Sequence, residues 1–184
     1  MRPTLVRCVT VQILGVVLML PLHTISSAAS GDPSLALVSS AFENGGRIPE
    51  RCTCSGLNTS PPLEWTGVPG ATRSLALILD DPDAPGGTFD HWVVYNILPS
   101  SKELPEGMSA SAPAANGEQG ENGRSEIGYT GPCPPPGKPH HYHFRLYALD
   151  QKLQLTPGAT AGQVEAAMEG HVLGSTELIG IFER

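Results

Sequence analysis

Two apolar runs flank a corner that neither helix nor strand can continue. The first is residues 75–79 (LALIL); the second starts at His91, where Val93, Tyr95 and Ile97 alternate with Trp92, Val94 and Asn96. The first run is short and unbroken, which predicts a strand buried on both faces. The second has the period of two expected of a strand. Between them stand Asp80, Asp81, Pro82, Asp83, Ala84, Pro85, Gly86 and Gly87. Proline has no N–H for a ladder, and Asp and Gly favour turns. The unit therefore carries Asp81, Asp83 and His91 to one end of a sheet on rigid strands, which is how sites are commonly held.

A second clean alternation begins at His140. His140, Tyr142, Phe144, Leu146 and Ala148 fall on one face, with His141, His143, Arg145, Tyr147 and Leu149 on the other. The register puts His140 and Tyr142 on one face and predicts that His141 and His143, on the other, face solvent. Further strands are expected around residues 35–38, at 63–65 and at 177–184. One helix is expected over 160–168, where Thr160 and Gln163 make a capping box and Val164, Ala167, Met168 and His171 line one side. With 21 glycines, 18 prolines and 5% aromatics, the chain is expected to be mostly β, with short strands and many turns. Residues 42–51 read as a turn region, and 100–125 as a long irregular segment.

Residues 1–29 read as a secretory signal peptide, leaving 30–184 as one domain. Arg2 and Arg7 make a positive start, residues 9–22 are apolar apart from Thr10 and Gln12, and Ser27-Ala28-Ala29 suits cleavage near Ala29–Ser30. An uncleaved anchor is the alternative, though the run is short for a span. The mature chain is expected to be periplasmic or secreted, with no transmembrane span. Losing the leader removes two arginines and no acid, so 9 basic side chains face 18 acidic ones, a net charge of −9. Such a chain is a poor partner for nucleic acid or an anionic membrane surface. Cys8 leaves with the leader, so Cys52, Cys54 and Cys133 remain. In an exported protein that count predicts one disulfide and one leftover thiol.

Four motifs carry a resemblance to the phosphatidylethanolamine-binding protein family, in particular to exported bacterial Raf-kinase-inhibitor-like members of the YbhB/YbcL type. They are the D-P-D-A-P run from Asp81 followed by His91-Trp92, and the segment built by Cys54, Gly56, Asn58, Ser60, Pro61, Pro62, Leu63 and Trp65. The other two are G-Y-x-G-P-C-P-P-x-G-x-x-H-x-Y from Gly128 to Tyr142, and an ending close to G-H-x-L…E-L-x-G-x-Y-x-R. The resemblance implies a central antiparallel sheet packed on a second sheet, with one helix in the C-terminal region. It implies a ligand pocket made by Asp81, Asp83, His91, Pro132, Pro134, His140 and Tyr142. It also implies a Cys54–Cys133 disulfide with Cys52 free; on loop closure alone Cys52–Cys133 would serve equally. Two departures stand out. Residues 122–128 read NGRSEIG where relatives often have an Asn-Asp-Phe-Gly-like run, so that run's contacts are not carried over. Asp90 replaces a tryptophan common in one branch.

The function implied by this resemblance is binding of a small phosphate-like or carboxylate anion, such as a phospholipid headgroup. Relatives also inhibit kinases or serine proteases, so a protein partner of either kind is implied. Imidazole N–H, tyrosine O–H and backbone N–H groups can converge on an anion, while ionised Asp side chains serve by orienting the histidines. Neither a cofactor nor an enzymatic activity is expected. The rival reading is a metal- or His-dependent hydrolase using the same pocket. Against it, the chain has no G-x-S-x-G elbow and no H-E-x-x-H element, and Cys133 lies between two prolines.

Overall fold

Strand pairing begins with the most buried segment. A computed structural model describes residues 34–110 and 117–184; the leader, its cleavage point and Cys8 lie outside them. In it the strand β4 (Ser74–Asp81) is buried at all eight positions. It lies between β5 (Phe89–Ile97) and β8 (His140–Leu149), antiparallel to both. In chain order the remaining elements are β1 (Ala36–Val38), β2 (Gly46–Arg47), a 3-10 turn (Glu50–Cys52), β3 (Leu63–Thr66), β6 (Glu103–Leu104), β7 (Glu118–Gln119), α1 (Ala161–Met168) and β9 (Val172–Phe182). Six strands form the central sheet in the order β2-β9-β8-β4-β5-β7. It is antiparallel except where the two-residue β2 runs parallel to β9. The second sheet is β1-β3-β6.

Each face of the central sheet has its own core. Leu75, Leu77, Leu79, Trp92, Phe144 and Leu146 pack against Leu37, Leu63, Trp65 and Leu104 of the small sheet. On the opposite face Ala76, Ile78, Val93 and Tyr95 pack under Ala161, Val164 and Met168 of α1. The helix begins as its sequence predicts: the Gln163 N–H donates to Thr160 Oγ1 at 3.4 Å, and the Thr160 N–H donates to Gln163 Oε1 at 3.0 Å. His171 lies beyond the helix and pairs with Asp150.

Three expectations need correction. First, β4 runs two residues past Leu79, through Asp80 and Asp81. Both carboxylates find partners across the sheet, Arg145 for Asp80 and His140 for Asp81, so their turn preference is overridden. Second, β5 does not alternate strictly. Leu79 pairs with Trp92 but Asp80 with Asp90, leaving His91 as an extra residue; a second shift lies between the Leu75–Ile97 and Leu77–Val94 pairs. There Asn96 takes a left-handed φ of 56°, and Ile97 joins the core of Trp92 and Val94 rather than that of Val93 and Tyr95. Third, the long segment after residue 100 contributes the short strands β6 and β7, and β9 starts at Val172 rather than Glu177.

Candidate functional site

The end of β4 and the starts of β5 and β8 meet at one edge of the central sheet. Beside them opens a cavity of about 340 Å³, walled by Asp81, residues 84–89, His91, Arg124, Cys133, Pro134, Pro135 and His140. The bulge decides its chemistry. In strict alternation His91 would share a face with Val93 and Tyr95, away from His140. The extra residue turns its ring instead towards Phe89 and Tyr142, with edge-on centroid distances of 4.8 and 5.2 Å. Bulges commonly re-aim one side chain beside a site in this way.

Each histidine has one ring nitrogen committed. His140 Nδ1 is 2.7 Å from Asp81 Oδ2, and His91 Nδ1 is 2.7 Å from the Thr130 carbonyl. A carbonyl only accepts, so His91 carries its proton on Nδ1 and keeps Nε2 open. A carboxylate fixes His140 in the same sense. Asp81 is used on both sides, because its Oδ1 accepts from the Asp83 N–H at 2.9 Å. Burial pushes the His91 pKa below the ordinary histidine value, although the Thr130 carbonyl and the Asp81 charge oppose it.

Tyr142 lies under these groups, fully buried. Its hydroxyl is shut off from solvent beside the Asp81 carboxylate. Burial, with the negative Asp81 beside it, drives the phenol pKa far above its usual value. The group therefore stays a neutral O–H.

The sequence-predicted residues separate into two sets. Asp81, His91, Pro134 and His140 form the cavity wall, with Tyr142 behind them. Asp83 and Pro132 do not line it. Asp83 is half exposed and accepts from both the backbone N–H and Nδ1 of His141, at 2.9 and 2.8 Å; the first of its effects is the His141 ring bond, which holds its carboxyl below the usual range. It thereby ties the loop wall of residues 84–89 to the start of β8. Pro132 is buried, and its carbonyl accepts from the Cys54 N–H at 3.1 Å. Cys54 and Cys133 are joined by a disulfide and Cys52 is a buried free thiol. Among the described residues, no group of three or more His, Cys, Asp or Glu side chains is arranged to hold a metal ion.

Sequence reasoning missed Phe89 and Arg124. Gly123 lets Phe89 approach: a Cβ there would lie 2.6 Å from the Phe89 ring. Arg124 follows it, in the run that departs from the family pattern. Its only sequence signal is a basic residue just after an Asn-Gly pair in an acidic stretch.

The model of the phosphatidylethanolamine-binding protein family matches residues 38–183. The chain belongs to that family. A relative in Methanothermobacter thermautotrophicus, described only as a UPF0098 protein, is 54% identical over 145 residues, spanning 78% of this chain and 95% of its own. Two crystal structures share the fold. A phosphatidylethanolamine-binding protein homologue of Chlamydia trachomatis matches with a TM-score of 0.76 and 40% identity, over 83% of this chain and 99% of its own. Escherichia coli YbcL, described as a member of the mammalian PEBP family, matches with a TM-score of 0.77 and 30% identity, over 82% and 99%. The two-sheet architecture with its late helix is thus that of a phosphatidylethanolamine-binding protein. No helix among the described residues is long and apolar enough to cross a membrane.

Proposed function

We propose that this phosphatidylethanolamine-binding protein family member is an exported binding protein for small phosphate-bearing anions of the phospho-headgroup kind. One observation carries the reading: two buried histidines keep Nδ1 for the protein and leave Nε2 open at the wall of a cavity. A neutral ring with its proton on Nδ1 offers only an acceptor at Nε2, whereas the protonated ring presents a charge-assisted Nε2–H, so an oxyanion is held by the imidazolium form. Export is supported by the leader-like residues 1–29 and by the disulfide. Binding rather than catalysis is supported by the wall itself. Its one thiol, Cys133, is in the disulfide, and Thr88 has no hydrogen bond to either histidine among the described contacts.

Calorimetric titration with phosphoethanolamine tests this. Wild-type protein is expected to bind it, and His140→Ala to weaken binding by on the order of ten- to a hundredfold, the cost of losing a charge-assisted donor. His143→Ala is the control, since that ring pairs with Glu177 on the opposite sheet face and should change affinity by less than about twofold. No binding by the wild type, or equal losses in the two variants, would sink the reading.

The pH dependence follows from His91. Its pKa lies below 6.5 in the free protein, and an anion at Nε2 favours the protonated ring. The other charged groups near it are Asp81, Arg124 and His140; Tyr142 stays neutral. Affinity for glycerophosphoethanolamine, whose phosphodiester keeps one charge, should rise as pH falls from 7.5 to 5.5. The limit is about tenfold per pH unit for each proton taken up. A flat profile would exclude His91 from the contact.

A further inference from the structure

Among the described residues of the cavity wall, Arg124 is the one permanent cation. The turn that presents it is well held. Buried Asn122 accepts from the Arg124 N–H at 2.9 Å and the Glu126 N–H at 3.3 Å, and donates from Nδ2 to the Gly128 carbonyl at 3.0 Å. The Gly123 N–H donates to the Asp90 carbonyl at 2.7 Å, which fastens the turn to β5. Ser125 then takes a left-handed φ of 59°.

The Arg124 guanidinium has no hydrogen bond or ion pair with any described residue. The acid on the same wall, Asp81, is committed through both oxygens to Asp83 and His140, so it does not neutralise the arginine. The wall thus combines a fixed carboxylate, two imidazoles and an uncommitted planar fork of N–H donors. A monoanion sets a single charge against that fork. A terminal phosphate is different. It carries close to two charges at pH 7.5, spread over three oxygens, and a guanidinium can take two of them side by side while an imidazole that the dianion holds protonated donates to the third. A phosphodiester has one charge and two free oxygens, and its second ester arm occupies the place of the third.

We propose that Arg124 makes this pocket selective for phosphomonoesters, that is for terminal dianionic phosphate, over phosphodiesters and carboxylates. This rests on the anion-binding reading above and narrows it: a free phosphomonoester is favoured over a diester headgroup still attached to its lipid.

The test compares phosphoethanolamine with glycerophosphoethanolamine, the same amine in the two esterification states, by calorimetry at pH 7.5. Wild-type protein is expected to prefer the monoester by on the order of tenfold. Arg124→Gln should bring the ratio to within about twofold, chiefly by losing the monoester, and Arg124→Lys should keep part of the preference as a charge without the fork. The exposed side chain has no described partner, so neither variant should change the melting temperature. His140→Ala is expected to weaken both esters alike. A preference that survives Arg124→Gln, or a wild type that binds both esters equally, overturns the role of Arg124 and leaves the pocket reading standing. Wild-type protein that binds neither ester nor inorganic phosphate overturns both.

Discussion

Replacing Arg145 with leucine is expected to cost about 3 kcal/mol of stability at pH 7, because it strands a buried carboxylate. Asp80 is 5% exposed, its Oδ2 pairs with the Arg145 guanidinium, and its Oδ1 has no partner among the described residues. The arginine, 32% exposed, also donates to Glu177 at 2.9 Å, and Glu177 holds His143 at 2.8 Å. Burial is the main cause that raises the Asp80 pKa, and Arg145 is the largest opposing charge. Without it the folded-state pKa rises further above the unfolded value near 3.9. An acid with a raised folded pKa costs stability at higher pH and regains it as pH falls towards the unfolded value. The loss in Arg145→Leu should therefore shrink between pH 7 and pH 4. Asp80→Asn placed in the same chain should recover most of it. Urea unfolding at both pH values, read as a midpoint shift at constant slope, measures this. A loss under about 1 kcal/mol, or one unchanged by pH, would mean that water reaches Asp80 and that the pair contributes little.

Asp80 and Asp81 show how far the sequence could be read. From Tyr142 to Ala148 every second residue enters one core, so the period alone put His140 and Tyr142 on one face and sent His141 and His143 to the other. Nothing local marks the extension of β4 through Asp80 and Asp81, because the partners that permit it are 65 and 59 residues away. The bulge at His91 was equally silent. It is a register difference between two strands, and only the Asn96 bulge has a hint, since asparagine tolerates positive φ. The first half of β9 carries Val172 and Leu173 at 46% and 41% exposure and so shows no apolar alternation. At the site, resemblance supplied Asp81, His91, His140 and the Cys54–Cys133 bond. It could not supply Arg124, which stands where this chain departs from its relatives, or the attachment of Asp83 to His141, which needs the loop's path.

Removing the disulfide should lower stability by about 3–4 kcal/mol while leaving anion affinity within about threefold. Cys54 and Cys133 are 79 residues apart, and closing a loop of that size restricts the unfolded chain by nominally about 4 kcal/mol. The folded chain has little to lose, because the two segments are also hydrogen-bonded to each other. The Cys54 N–H donates to the Pro132 carbonyl at 3.1 Å, the Gly131 N–H to Asn58 Oδ1 at 2.6 Å, and the Tyr129 hydroxyl to the Cys52 carbonyl at 2.6 Å. The approach is too close for any other residue at 131, where a Cβ would come within 2.5 Å of the Cys52 carbonyl oxygen. Three bonds of about 1 kcal/mol each hold the lip locally, so the covalent link acts mainly on the unfolded state. Cys133 and Pro134 should then keep their places in the cavity wall. The comparison is the Cys54→Ser/Cys133→Ser double variant against wild type, by urea unfolding and by phosphoethanolamine titration, with non-reducing peptide mapping to establish the pairing in the wild type. An unchanged unfolding midpoint would refute the chain-entropy account. A loss of affinity beyond tenfold would show instead that the bond, and not the hydrogen bonds around it, holds the lip of the pocket in place.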